Sequence, residues 1–167
     1  MPDFNTILTD RCQCIVFRAE KYVDGLNGWL GGNIPEYFVD HIDSLNCKNE
    51  DYYFYLTLTH PFDAKKMFSI FVPRDYEVLL DKNIYPNCSV LLFEHTYSKE
   101  SSNTNFTNFN IKKHNISGGQ MLLNQEADND FYLIKFGGIP DLIQKESFYY
   151  LYNEQCQVEL KASNFFE

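Results

Sequence analysis

Three runs of aromatic and β-branched residues, separated by short turns, constrain the fold of this chain more than any other feature. They cover residues 52–59 (YYFYLTLT), 67–72 (MFSIFV) and 89–97 (SVLLFEHTY). Such residues fit the half-buried, pleated surface of a sheet, and the connection at residues 61–66 is short enough for a hairpin. The three runs therefore predict an antiparallel meander.

Shorter segments extend this pattern towards both ends of the chain. The other predicted strands are residues 12–18, 131–136, 148–152 and 157–160, of which the last two form a hairpin. At residues 34–45, a proline and an acidic first turn precede apolar residues at helical spacing, which predicts a short amphipathic helix. The fold class that follows is α+β, a mainly antiparallel β-sheet with one or two short helices.

The chain length and a polar segment indicate how the fold is organised. With 167 residues, the chain has the size of one ordinary domain, and we predict a single domain over residues 1–167. Residues 98–110 (SKESSNTNFTNFN) are polar and low in complexity. We expect an exposed polar loop at about residues 98–112.

The net charge of −9 restricts the kind of partner. An acidic surface repels the phosphates of nucleic acids and the headgroups of anionic lipids, so binding to nucleic acid or membrane is disfavoured. Opposite fields accelerate encounter, which favours a basic protein partner. Many cytosolic proteins are also acidic for solubility alone, so charge by itself does not decide between these interpretations.

The cysteines and the first residues predict a cytoplasmic protein. Residues 1–6 (MPDFNT) lack the basic and apolar stretches of a secretory signal. The five cysteines, an odd number, are then expected to be reduced thiols. They are Cys12, Cys14, Cys47, Cys88 and Cys156.

A short glycine–proline pattern occurs twice. Residues 30–36 (LGGNIPE) are followed much later by residues 136–141 (FGGIPD), which have one residue fewer. Paired glycines permit positive φ and a close approach of the backbone, and proline then fixes the direction of the chain. We interpret both copies as structural turns, built by Gly31, Gly32, Pro35, Gly137, Gly138 and Pro140.

The second copy resembles a known family signature. Residues 136–144 (FGGIPDLIQ) are similar to the Gly-Gly-x-Pro-x-x-Ile-Gln motif of the YwqG-like family of uncharacterised bacterial proteins, which also tends to carry an earlier Gly-Gly-x-Pro turn. The chain differs from the family by the inserted Asn33 and by Leu142, where an aromatic residue is common. The resemblance implies a mainly β fold with flanking helices, and it brings no established reaction.

The sequence lacks a recognisable catalytic or metal-binding motif. Cys12 and Cys14 alternate along a predicted strand and have no second pair at zinc-ligand spacing, so no metal or cofactor is predicted. The four histidines are interpreted as structural or exposed. Residues 117–120 (SGGQ) match neither a P-loop nor a dinucleotide-binding motif and are interpreted as a tight turn. We therefore predict no enzymatic activity.

Acidic residues concentrate on and after the predicted helix. Glu36, Asp40 and Asp43 would share one helix face at spacings of four and three residues. Such a run is usually a solvated face, and it is also the form of a docking surface for a basic protein. The predicted partner-binding residues are Glu36, Tyr37, Asp40, Asp43, Glu50, Asp51 and Tyr52.

Three functions remain as hypotheses at this point. In size, acidity and lack of catalytic motifs, the chain resembles bacterial immunity proteins, which neutralise a basic toxin such as a nuclease by occlusion. The alternative is a YwqG-like domain that binds a small ligand or carries an unrecognised activity. A zinc-dependent enzyme is the third, and metal analysis of the purified protein would decide it.

Overall fold

We describe a computed structural model of the chain. The description covers residues 12–20, 27–45, 49–81, 90–128, 131–139, 150–153 and 156–160. These residues group into two compact units. We call residues 28–115 the central unit, and we call the described residues up to 27 and from 116 onwards the terminal unit. The prediction of one domain over residues 1–167 is untested by this grouping and stays a prediction.

Four strands of the central unit form an antiparallel sheet in the order β5-β4-β3-β2. They are β2 (Gly28–Leu30), β3 (Tyr52–Thr59), β4 (Lys66–Pro73) and β5 (Leu91–Thr96). The meander predicted from the three aromatic runs is therefore confirmed. Strand β2 is not among the predicted strands, since three residues are too few to show an alternating pattern.

One aromatic cluster forms the core on one side of this sheet. Phe71 lies at its centre and makes edge-to-face contacts with four other phenylalanines, at ring-centroid distances of 5.3–5.7 Å. The buried members of this cluster are Trp29, Ile34, Phe38, Leu45, Phe54, Met67, Phe71 and Phe106. Edge-to-face geometry is favourable for aromatic rings beyond the burial of their area.

The helix predicted at residues 34–45 is wrong as a continuous element. The structure has a four-residue helix α1 (Tyr37–Asp40) and a separate 3-10 turn (Ile42–Leu45). Between them the backbone of His41 leaves the helical region, with φ −124°. The ring Nδ1 of His41 lies 2.8 Å from the carbonyl oxygen of Tyr37, which would accept the main-chain N–H of residue 41 in a continuous helix. The side chain thus competes with the helical hydrogen bond at this point.

The segment at residues 98–112 has no helix or strand, but Asn33 ties it to the first glycine turn. The side-chain amide of Asn33 donates to the carbonyl of Ser101, and its oxygen accepts from the Thr107 hydroxyl. The main-chain N–H of Asn33 donates to Glu100 Oε1 over 3.0 Å. Residue Asn33, the insertion relative to the second turn, therefore fixes a segment that the sequence predicted only as an exposed polar loop.

The strands of the terminal unit lie in the order β6-β1-β7-β9-β8. Their bounds are β1 Gln13–Glu20, β6 His114–Leu123, β7 Ile134–Gly137, β8 Tyr150–Asn153 and β9 Cys156–Leu160, and the first two residues of β6 belong to the central unit. Strands β8 and β9 pair antiparallel, which confirms the predicted final hairpin. The described helices outside α1 are α2 (Tyr76–Asp81) and α3 (Asn124–Asp128).

The tight turn predicted at residues 117–120 is wrong, because these residues lie inside strand β6. A Cβ atom on Gly118 would lie 2.4 Å from the carbonyl oxygen of Val16 in β1. The glycine is thus needed for a close approach of backbone segments and does not mark a chain reversal.

The predicted fold class is confirmed: the chain is α+β, with mostly antiparallel strands and short helices. Among the described residues, no helix combines the length and the apolar character needed to cross a membrane.

Candidate partner-binding site

All seven predicted partner-binding residues lie in the central unit. The five acids Glu36, Asp40, Asp43, Glu50 and Asp51 are exposed, and we call them the acidic set. The two tyrosines, Tyr37 and Tyr52, are half-buried and pack against the central aromatic cluster. The break at His41 means that the first three acids are not carried by one continuous helix, as the sequence predicted.

No member of the acidic set forms an ion pair with a cation in the described part of the chain. The lysine contacts of the central unit go to other carboxylates, with Lys66 on Glu94 and Lys113 on Glu100. The negative field of the acidic set is therefore not cancelled by these lysines.

Tyr37 is held by two imidazole rings. Its ring stacks on that of His41 at 4.3 Å and on that of His95 at 4.9 Å, with interplanar angles of 8° and 21°. Both interplanar angles are small, so each imidazole lies nearly parallel to the phenol ring. These two stacking contacts hold the half-buried Tyr37 in place, so the side chain is pre-organised for contact with a partner.

Arg74 fixes the chain just before Tyr52. Its side-chain Nε donates to the carbonyl of Asn49 over 2.8 Å, and its main-chain N–H donates to the carbonyl of Asp51 over 2.8 Å. The guanidinium thus contacts the main-chain carbonyl of Asn49 just before β3, and its Nη2 lies 3.5 Å from the carbonyl of Asn105. This geometry places Glu50 and Asp51 on a held turn beside the core.

Two apolar side chains lie exposed among the acids of residues 36–43. Val39 is 44% exposed and Ile42 is 39% exposed. The interruption at His41 separates Ile42 from α1, so this side chain does not follow the apolar face of a continuous helix. Apolar side chains within a charged rim are the usual composition of a protein-binding surface.

His95, whose ring stacks on Tyr37, lies at the end of a buried series of polar contacts. Thr57 Oγ1 donates to the carbonyl of Phe68 over 2.9 Å, and Ser69 Oγ lies 2.9 Å from Thr57 Oγ1. Ser69 Oγ also lies 2.8 Å from His95 Nε2, and His95 Nδ1 lies 2.8 Å from the carbonyl of Thr96. This series of contacts crosses three neighbouring strands. It ends at the carbonyl groups of Phe68 and Thr96, which can only accept hydrogens.

This series of hydrogen bonds has four contacts, and a neutral His95 leaves one of the four without a hydrogen. Thr57 and Ser69 supply one hydroxyl hydrogen each, and a neutral imidazole supplies one. A protonated imidazole would supply two hydrogens, so that each of the four contacts would have one. Burial lowers the pKa of His95 below its ordinary value, and the hydrogen bond to the Thr96 carbonyl acts in the opposite direction but more weakly.

The Ser69–His95 pair has the contact distance of a nucleophile and its base, but its placement excludes that role. Ser69 has no exposed surface, so its hydroxyl cannot reach a substrate. The pair is therefore a structural element that supports the ring beneath Tyr37.

His60 is a second buried histidine, and its hydrogen bonds differ from those of His95. Its Nδ1 accepts the main-chain N–H of Phe62 over 3.1 Å, which leaves the hydrogen on Nε2, 3.5 Å from Glu94 Oε2. Burial lowers the pKa of His60, and the Glu94 carboxylate opposes this effect in part.

These two histidines predict that acid destabilises the protein. The pKa of each is lower in the folded state, so the unfolded chain takes up protons first as pH falls. Their contribution to stability is complete above about pH 6.5 and is lost below it, at up to about 1.4 kcal/mol per pH unit for each histidine. Urea unfolding between pH 7.5 and 5 measures this slope. We expect His95→Gln to flatten the slope, and a slope equal to that of the wild type would contradict the assignment.

The two glycine turns share a geometry that the sequence pattern alone does not give. Gly32 and Gly138 both have left-handed backbones, with φ of 75° and 73°. In each turn the next main-chain N–H donates to a side-chain oxygen: Asn33 to Glu100, and Ile139 to Asn124 over 2.8 Å. Pro140 lies outside the described residues. The described parts of both motifs are turns, and a side-chain acceptor holds each of them.

A buried lysine in β7 completes the second turn. Lys135 is 1% exposed, and its Nζ donates to the carbonyl of Ile139 over 2.7 Å. The same ammonium lies 5.2 Å from the ring centroid of Tyr132, within cation–π distance. Lys135 is not among the residues predicted for a site, although a single lysine inside the apolar run of residues 131–136 is a visible signal in the sequence.

The cysteines give no cluster in the described residues. Cys12 is exposed and Cys14 is buried, so the two do not share one environment. Among the residues that the structure describes, no group of three or more His, Cys, Asp and Glu side chains is placed to hold a metal ion. Cys47 and Cys88 lie outside the described residues, and Cys156 is described only by its backbone.

Comparison with known proteins gives no relative for this chain. No protein-family model, no curated protein sequence and no solved structure matches it.

Proposed function

We propose that this protein is a cytoplasmic binding protein that neutralises a basic protein partner, as a bacterial immunity protein neutralises a nuclease toxin. The observation that carries the proposal is the acidic set, which consists of five exposed carboxylates without an ion pair in the described part of the chain. Carboxylates that form no ion pair within the protein retain a negative field, which can attract a basic partner. The net charge of −9 acts in the same direction.

The proposed mechanism is electrostatic attraction followed by occlusion. The acidic set attracts the basic partner and raises the association rate. Tyr37 and Tyr52, seated on the aromatic core, then provide rigid contacts, and Val39 and Ile42 contribute apolar surface. The bound protein would cover the cationic surface with which a nuclease binds its substrate.

The direct experiment measures binding to the product of the adjacent gene. A pull-down and a titration at 50 and 200 mM salt test whether a complex forms and whether salt weakens it. Binding that weakens with salt supports the proposal, and the absence of binding at either salt concentration refutes it.

Charge-neutralising variants test where the partner binds. In Asp40→Asn/Asp43→Asn the net charge changes from −9 to −7, and we expect about a tenfold loss of affinity at low salt, mostly through slower association. The matched control is Asp63→Asn/Glu126→Gln, which has the same net charge and keeps the oxygens that accept main-chain N–H groups at both sites. Equal losses in both double variants would show that only the net charge matters.

A YwqG-like domain that binds a small ligand is the second candidate. It is favoured by the two turns on which the resemblance rests, since the described part of each has the left-handed glycines and the side-chain acceptor noted above. Ligand screening by thermal shift tests this candidate, and substitutions at the acidic set should leave such a shift unchanged.

A further inference from the structure

The hydroxyl of Tyr55 is a buried polar group without a partner. The side chain is 6% exposed, and in the described part of the chain its hydroxyl is the one enclosed side-chain oxygen or nitrogen without a hydrogen bond. Buried polar side chains in folded proteins almost always have a partner, in the protein or in bound solvent. A phenylalanine would fill nearly the same volume without this cost, so the hydroxyl needs an explanation.

A β-bulge places this side chain. Phe54 pairs with Phe71 and Leu56 pairs with Ile70, so Tyr55 is the extra residue of β3 at this point. Its carbonyl accepts the main-chain N–H of Gly31 over 2.7 Å, which links the bulge to the first glycine turn. Bulges re-aim side chains and are frequent beside binding sites.

The surroundings of the Tyr55 hydroxyl disfavour a charged molecule as its hydrogen-bond partner. Tyr53, two residues earlier in β3, is also buried, and burial raises its pKa to about 12. Burial raises the pKa of Tyr55 as well, and Tyr53 adds to this effect. Both phenols are therefore neutral at physiological pH, and an environment that opposes their ionisation also opposes a charged guest.

We propose that Tyr55 is the recognition group of a buried site for one uncharged, hydrogen-bonding guest. The guest is a water molecule or a small neutral ligand, and either satisfies the phenol in the same way. This site is independent of the acidic set and of the basic partner proposed above.

The test compares Tyr55→Phe with Tyr53→Phe in the full chain by urea unfolding. If a guest is bound, Tyr55→Phe removes its hydrogen bond, and the unfolding midpoint falls below those of the wild type and of Tyr53→Phe. If the hydroxyl has no guest, its removal relieves an unpaired buried group, and the midpoint rises. An unchanged or raised midpoint overturns the proposal.

Two further measurements identify the guest. Native mass spectrometry of the wild-type protein reports a small ligand as added mass that Tyr55→Phe loses. For a water, a high-resolution crystal structure shows a density peak within hydrogen-bond distance of the Tyr55 oxygen and no added mass is found. Neither an added mass nor a peak would also overturn the proposal.

Discussion

Replacing Phe71 by alanine should lower the free energy of unfolding by about 3–5 kcal/mol. The side chain is fully buried and makes edge-to-face contacts with Phe38, Phe54, Phe93 and Phe106. Truncation removes the transfer free energy of the ring and leaves a cavity among neighbours from several elements, which cannot all move in to fill it. Urea unfolding followed by tryptophan fluorescence measures the loss, because Trp29 belongs to the same cluster.

The matched control is Phe109→Ala, the same substitution at a side chain that is 82% exposed. We expect a change within about 0.5 kcal/mol, as for other surface positions without special contacts. Because Phe38 of α1 packs on Phe71, the core substitution should also weaken partner binding, whereas Phe109→Ala should not if the acidic set carries that contact. Similar stability losses in the two variants would refute the assignment of Phe71 to the centre of the core.

The sequence predicts the strands of the central sheet well because their pattern is strong. Runs such as residues 52–59 and 67–72 contain almost only residues that favour a sheet, and proline or turn residues bound them. The structure gives the first of these strands the predicted bounds and extends the second by one residue at each end. Propensity and burial agree in these segments, so little is left for tertiary context to decide.

Elements whose form depends on a particular side-chain or tertiary contact cannot be predicted from the local sequence pattern. Gly118 and Gly119 signal a turn locally, but they lie in β6, where strand β1 approaches Gly118 too closely for a side chain. The break at His41 depends on a ring nitrogen that reaches the Tyr37 carbonyl. In both cases a tertiary or side-chain contact overrides a local pattern that is otherwise reasonable.

The candidate site divides in the same way. Acidic residues in sequence are visible at once, and the structure confirms that the acidic set is exposed. The chain from Thr57 through Ser69 to His95 is invisible without strand register, because these polar residues are far apart in sequence and meet only across β3, β4 and β5. An acidic partner-binding surface can thus be proposed from the sequence, whereas the buried residues that support it can be identified only from the structure.

Gly138→Ala should lower the free energy of unfolding by about 3 kcal/mol, and Gly32→Ala by about 1–2 kcal/mol. The two glycines have nearly the same φ, 73° and 75°, so the backbone strain of an alanine is nearly equal at both. The difference lies in the neighbours. A Cβ on Gly138 would lie 2.4 Å from Asn124 Oδ1 and 3.0 Å from the Cβ of buried Cys14. Displacing Asn124 also removes the acceptor of the Ile139 N–H.

At Gly32 the nearest atom to a new Cβ is Glu100 Oε1 at 2.7 Å, the end of a long side chain. That carboxylate gives up the Asn33 N–H when it swings aside, but it can keep its ion pair with Lys113, since both side chains reach the surface. Urea unfolding of the two single variants measures the difference directly, and Asn124→Ala in the Gly138→Ala background should recover part of the loss by removing the clash. If Gly32→Ala costs as much as Gly138→Ala, the tighter surroundings of Gly138 add nothing to the backbone strain and the displaced acceptor that both sites share.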